Sequence, residues 1–112
     1  MVKIMFNDKK ITWNDIVSSY SNNPRDVKTV PLRGAGRWFY VYAENNNVYA
    51  ENARNHSVSS KIKGRRVLEK NKVDDVLAIY DRRKRGESVS KIAVDTTVNQ
   101  VYWYGIFADM GI

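Results

Sequence analysis

The chain has 112 residues, 43% of them hydrophobic and 12% aromatic, which is room for one ordinary domain or two very small units sharing a core. It contains no cysteine, which excludes disulfides and thiolate metal sites and points to a reducing cytoplasm, bacterial cytosol or nucleoid. No apolar run approaches the roughly 18 residues of a membrane span, and Met1–Phe6 is too soon interrupted by Asn7–Lys10 to be a signal peptide. The net charge of +7 is unevenly placed. Residues 1–53 carry seven Lys/Arg against five Asp/Glu, residues 54–91 twelve against five, and residues 92–112 none against two. A central basic stretch of this kind attracts polyanions by steering and counterion release, and a pI near 9.7 suits nucleic acid.

In chain order, the first half reads as a small α+β unit. Lys3–Phe6 suits a short strand, closed by an Asn7-Asp8 turn. Thr12 is placed to cap a helix with Asp15 three residues on, and Trp13, Ile16, Val17 and Tyr20 recur at helical spacing, so the pattern predicts a helix over 13–20. Pro24 ends it. Strands are predicted over 27–32, 37–43 and 48–52, the second being the strongest strand signal in the chain. Gly34-Ala35-Gly36 and Asn45-Asn46-Asn47 supply the turns of an antiparallel three-stranded meander packed on the helix. Residues 54–66 are polar and basic without periodicity and read as a linker or arm.

From Val73 the character changes. Val73, Val76, Leu77 and Tyr80 form an i, i+3, i+4, i+7 stripe, predicting a helix over 71–84 that Gly86 terminates. Ser88 is placed to cap a second helix with Val89, Ile92 and Ala93 inward, and a third begins after Thr96-Thr97 with Val98, Trp103, Ile106 and Phe107 as core positions. The expected fold is α+β: a small N-terminal antiparallel sheet with one helix (1–53), a basic linker or arm (54–70) and a three-helix C-terminal part (71–112).

Three short helices in this arrangement are the geometry of a helix-turn-helix. Ser88-Val89-Ser90-Lys91-Ile92-Ala93, then Val98, then Tyr104-Gly105-Ile106-Phe107 resembles the helix-turn-helix of resolvase- and invertase-type recombinases and their transposase relatives, over residues 64–108 only. The resemblance implies that Ala93 lets the third helix pack closely, that Asn99 caps the recognition helix, and that Gly64-Arg65-Arg66 is an arm lying in a minor groove. Where the family has a turn glycine this chain has Thr97, so the turn is expected to differ in shape, and Gln100, Val101 and Tyr102 replace the usual Ser, Thr and Arg run.

On this reading the protein binds double-stranded DNA, with helix 98–108 in the major groove and Lys61, Lys63, Arg65 and Arg66 of the 61–66 arm in the minor groove. Gln100 would pair with an adenine edge, and Tyr102 would touch a phosphate or base edge or else cover core. Arg82, Arg83, Lys84 and Arg85, with Lys91, would meet phosphates, and the first four also stabilise the dipole of their helix. The aromatic hairpin at 37–50 is expected to form a homodimer or to bind another protein. The family points to a regulator or accessory factor of a phage or other mobile element, by analogy alone.

No enzyme activity, cofactor or metal is expected. His56, the single histidine, has no Cys or second His to share a metal and reads as an exposed linker residue. Ser57, Ser59 and Ser60 lack the surroundings of a recombinase nucleophile. Two other classes stay open. One is a phage-type inhibitor of a host restriction or CRISPR nuclease, acting on protein or guide RNA. The other is a small metal-dependent nuclease, with Glu44 and Glu51 facing each other across the hairpin.

Overall fold

The computed structural model describes residues 11–112, so the strand expected at Lys3–Phe6 lies outside the described residues. Helix α1 spans Trp13–Asn22, two residues longer than its periodicity suggests. Its start is a reciprocal cap: the Asp15 amide donates to Thr12 Oγ1 at 3.2 Å and the Thr12 amide to Asp15 Oδ2 at 2.9 Å. Trp13, Ile16 and Tyr20 are buried along its inner face.

Four strands follow, β1 (Arg25–Lys28), β2 (Trp38–Glu44), β3 (Asn47–Asn52) and β4 (Arg66–Val67), in one antiparallel sheet of order β1-β2-β3-β4. The β2–β3 loop is two residues, Asn45 and Asn46, both at positive φ (53° and 65°), the hairpin conformation that asparagine tolerates and that matches strand twist. The Trp13 indole N–H donates to Asn46 O at 2.9 Å and docks α1 on that turn. The strand expected over 27–32 is earlier and shorter. Thr29 makes a last link to Arg37, and Val30 then leaves the sheet, its carbonyl taken by Arg83 at 2.6 Å, with Pro31 next in line and unable to donate.

Residues 54–66 are not a free linker. The Trp38 amide donates to Val58 O and the Ser60 amide to Trp38 O, both at 2.8 Å, and Ile62 is buried with its amide on Asn52 Oδ1 at 2.7 Å. Residues 66–67 then close the sheet as β4, paired with Tyr49 and Ala50.

A short 3-10 turn at Lys70–Lys72 leads into α2 (Val73–Lys84), then α3 (Ser90–Thr96) and α4 (Gln100–Asp109). The fold is therefore α+β, with the sheet N-terminal and three of the four described α-helices C-terminal. Several local expectations change. Val89, not Ser88, stands at the α3 N-cap, and Asn99 stands at the α4 N-cap without a side-chain cap bond. Ile92 and Val98, expected inside, are 42% and 70% exposed. Thr97 is extended (φ −154°), so the α3–α4 turn does not use the left-handed conformation of a turn glycine and carries no strain.

One hydrophobic cluster joins α1, the sheet and the C-terminal helices. Its centre is α4, in which Trp103, Ile106 and Phe107 are fully buried. Phe39 of β2 meets Tyr102 edge-on at 5.1 Å, and Trp13 meets Trp103 at 6.3 Å. Gly105 lets α4 lie directly on the sheet, since a Cβ there would come 2.9 Å from Lys28 O and 2.9 Å from the buried Phe39 ring. Gly105→Ala should therefore lower stability. The helix-propensity gain of about 1 kcal/mol is outweighed by an overpacking cost of about 1–3 kcal/mol against a backbone atom and a ring that cannot retreat. Urea unfolding checks this, and an unchanged or raised midpoint would show that α4 does not sit this close. Among the described residues no helix is long and apolar enough to cross a membrane.

Candidate nucleic-acid interface

Strand alternation divides the sheet. Phe39, Val41, Val48 and Ala50 turn to the helices and are fully buried. Trp38, Tyr40 and Tyr42 alternate with them and turn to the opposite face, which none of the described helices covers. The register sets Lys28 beside Trp38, Asp26 and Glu51 beside Tyr40, and Tyr49 and then Val67 beside Tyr42. The three tyrosine rings form a continuous array, Tyr40 to Tyr42 at 5.9 Å and Tyr42 to Tyr49 at 5.1 Å.

Planar or cationic side chains cover Trp38, Tyr40 and Tyr49. The Arg54 guanidinium lies 4.1 Å over Tyr40, and that of Arg65 3.9 Å over Tyr49. The His56 ring stacks on Trp38 at 3.5 Å and 11°. Lys28 Nζ approaches the same Trp38 at 5.7 Å. Arg65 also donates to Tyr42 Oη at 2.9 Å, and that hydroxyl donates to Glu51 Oε2 at 2.7 Å, with Arg54 at 3.3 Å from Glu51.

The loop that supplies Arg54 and His56 is pinned by Asp26. Its carboxylate is 1% exposed, accepts the Arg54 and Asn55 amides at 2.9 and 2.7 Å, and faces His56 Nδ1 at 2.8 Å. Burial by itself would raise the Asp26 pKa, but the Arg54 amide, the His56 ring and the Asn55 amide together hold it below the usual carboxylate range. The Tyr42 hydroxyl, working against partial burial, likewise lowers that of Glu51. Next to this loop opens a polar cleft of about 580 Å³ lined by His56, Ser57, Ser59, Lys61 and Lys63. Ser59 Oγ is committed, accepting the Ala53 amide and donating to Ser60 O.

The residues expected to contact DNA fall in separate places. Lys61 and Lys63 line the polar cleft, and Arg65 lies over Tyr49 on the outer face. Arg66 faces the other way, with Ala50, and its Nη1 donates to Asn99 Oδ1 at 3.4 Å, so Arg65 and Arg66 do not act as one arm. Arg82 and Arg85 pair with Glu87, Arg83 serves Val30 O and Tyr104, and Lys84 lies over Tyr80. Lys91 pairs with Asp95 on the exposed side of α3. Asn99 and Tyr102 are buried, the former on Glu69, the latter against Phe39. Tyr102 thus covers core, as one of its two expected roles had it. Gln100 is half-buried.

His56 is exposed, but its ring is fixed rather than carried on a loose linker. Glu44 pairs with Asn47 and Glu51 with Tyr40, so the two carboxylates do not face each other across the hairpin. Among the described residues no three His, Asp or Glu side chains gather as a metal site requires. Sequence reasoning passed over Asp26, Arg54 and the separate role of Tyr40, Tyr42 and Tyr49. The period-two spacing of Trp38, Tyr40 and Tyr42 was the available signal, while nothing local announces Asp26 or Arg54.

No family model, curated protein or solved structure matches the chain. The resemblance of residues 64–108 to recombinase helix-turn-helices therefore stands on its motif alone.

Proposed function

We propose that the protein binds nucleic acid on the open face of its sheet, single strands in preference to duplex, and does no chemistry on it. The observation that carries this reading is the pair of half-buried rings Trp38 and Tyr40 with His56 and Arg54 laid over them, and Arg65 laid over the buried Tyr49 beside them. Unpaired bases stack on aromatic rings and on guanidinium planes, at roughly 1–3 kcal/mol per base, whereas bases inside a duplex offer no free face. Lys28, Arg54, Lys61, Lys63 and Arg65 outnumber Asp26, Glu44 and Glu51 around this face, and Asp26 is buried. Lys61 and Lys63 line the cleft with His56, whose ring stacks on Trp38, and would offer charge to a phosphate backbone there.

Major-groove reading by α4 has less to support it. That helix contains no Lys or Arg, buries residues 102–107, and exposes Val98 and Val101 at its start. Of the residues that the double-stranded DNA reading needs, Arg82, Arg85 and Lys91 sit in surface ion pairs and Arg83 is held by Val30 O.

The test is anisotropy titration of the full chain with oligo-dT, single-stranded RNA and duplex DNA of equal length, at two salt concentrations. Arg54→Ala with Arg65→Ala should weaken single-strand binding by about tenfold or more and flatten its salt slope by about two contacts. Tighter binding to duplex, unaffected by the double variant, would overturn the sheet-face reading in favour of α4.

A further inference from the structure

A second cleft, which shares Ser60 with the polar one, is a feature that nucleic acid does not explain. Between the 29–37 segment, the end of α2, α3 and the first turn of α4 lies a cleft of about 650 Å³. Its floor is Val89, Ala93 and Tyr104, and its walls include Leu32, Val94 and Val101. Leu32 at its edge is 77% exposed. Val94 of α3 and Val101 of α4 both line it and are 58% and 45% exposed. The volume is that of a site taking a few large side chains, and apolar lining with few polar groups is the usual make-up of such sites.

The charges of the cleft point to its occupant. Arg83 is committed to Val30 O and the Tyr104 ring, and Glu87 to Arg82 and Arg85. Arg37 lines the cleft and, among the described residues, has no carboxylate partner. A phosphate backbone would find one uncommitted cation, Arg37, with Glu87 also in the lining. A second copy of the chain would bring another +7 of charge to a surface already positive, which disfavours self-association. A segment with apolar side chains on one side and carboxylates on the other satisfies both the walls and Arg37. We infer that the cleft receives an acidic amphipathic segment of a partner protein, its apolar side chains filling the space between Leu32, Val94 and Val101 and a carboxylate pairing Arg37 in the two-pronged geometry arginine favours.

The experiment uses the full chain and a fluorescein-labelled synthetic peptide with Leu at i, i+3, i+4 and i+7 and Glu elsewhere. A same-composition peptide with the Leu positions scrambled controls for simple attraction of acid to a basic protein. The ordered peptide should bind about tenfold more tightly than the scrambled one. Val101→Asp, a change at a half-exposed position that circular dichroism should show folded, should abolish the difference, and Arg37→Ala should weaken the ordered peptide alone. Equal binding of the two peptides, or an ordered-peptide affinity indifferent to Val101→Asp, would overturn the assignment. So would a dimer in sedimentation that Val101→Asp dissolves, since a second copy would then be the occupant. Oligo-dT binding by the Val101→Asp variant is expected to be unchanged, so this result and that for the sheet face are read separately.

Discussion

Trp103→Ala should destabilise the protein by about 3–5 kcal/mol and should melt the sheet and the C-terminal helices together. The indole is fully buried, lies 6.3 Å from Trp13 of α1 and 5.6 Å from Phe107, and donates its N–H to Glu69 at 3.1 Å. Its removal leaves a cavity among side chains from α1, α4 and the chain leading into α2, elements separated by up to about ninety positions in sequence. A native stability of roughly 5–15 kcal/mol would lose a large fraction, so much of the variant should be unfolded in mild denaturant. The informative part is cooperativity. Far-ultraviolet dichroism, dominated by the helices, and fluorescence of the remaining Trp13 and Trp38 should fall in one coincident transition in both wild type and variant. A variant that loses helical signal while the Trp38 environment persists would show that residues 71–112 pack as a unit of their own, as a separable helix-turn-helix would.

That comparison touches what could be read from the chain. Helix α1 was legible because its cap and its stripe are local: Thr12, Asp15, Trp13, Ile16 and Tyr20 lie within nine residues. The hairpin was legible because Asn45 and Asn46 carry the required backbone conformation. Residues 54–66 were not, because what holds them is non-local and polar, such as the Ile62 amide on Asn52 and the Arg54 and Asn55 amides on Asp26, and leaves no periodicity. Ile92 and Val98 were assigned inward by hydrophobicity, yet Thr97 and Asn99 take the buried places because Glu69 supplies their partners from across the fold. The candidate interface was half visible. The strand of alternating aromatic residues is plain in sequence, but Arg54 and His56 reach it from a loop whose course one buried aspartate holds, and Arg65 from the chain just before β4.

Glu69 gives the last prediction, and it depends on the same kind of distant partnership. The carboxylate stands between β4 and α2 and accepts from Thr97 Oγ1 at 2.6 Å, Asn99 Nδ2 at 3.1 Å and Trp103 Nε1 at 3.1 Å. It thereby ties the α3–α4 turn and the start of α4 to the end of the sheet. Hydrogen bonds to a charged group contribute about 1.5–3 kcal/mol each, and a buried donor left without a partner costs about 1–3 kcal/mol. Glu69→Ala orphans the Trp103 indole and the Thr97 hydroxyl at once, so a loss of about 3 kcal/mol or more is expected in urea unfolding at neutral pH. Glu69→Gln keeps one acceptor oxygen, presents an amide to the remaining donors, and should fall between. The pH dependence separates charge from shape. Burial acts to raise the Glu69 pKa, but the Thr97, Trp103 and Asn99 donors outweigh it and hold the folded value below the ordinary carboxylate range. A folded pKa below the unfolded one means that the charge contributes its full stability above the unfolded value, about 4.3, and loses it as pH falls through the folded value. The stability gap between wild type and Glu69→Gln should therefore be level from about pH 8 to pH 6 and narrow below about pH 4. Taking the difference removes the parallel contributions of Asp26 and Glu51, whose carboxyls are also held low and are present in both proteins. A gap that stays constant to about pH 3 would mean that Glu69 acts by its shape alone, and that its charge does not organise the turn before α4.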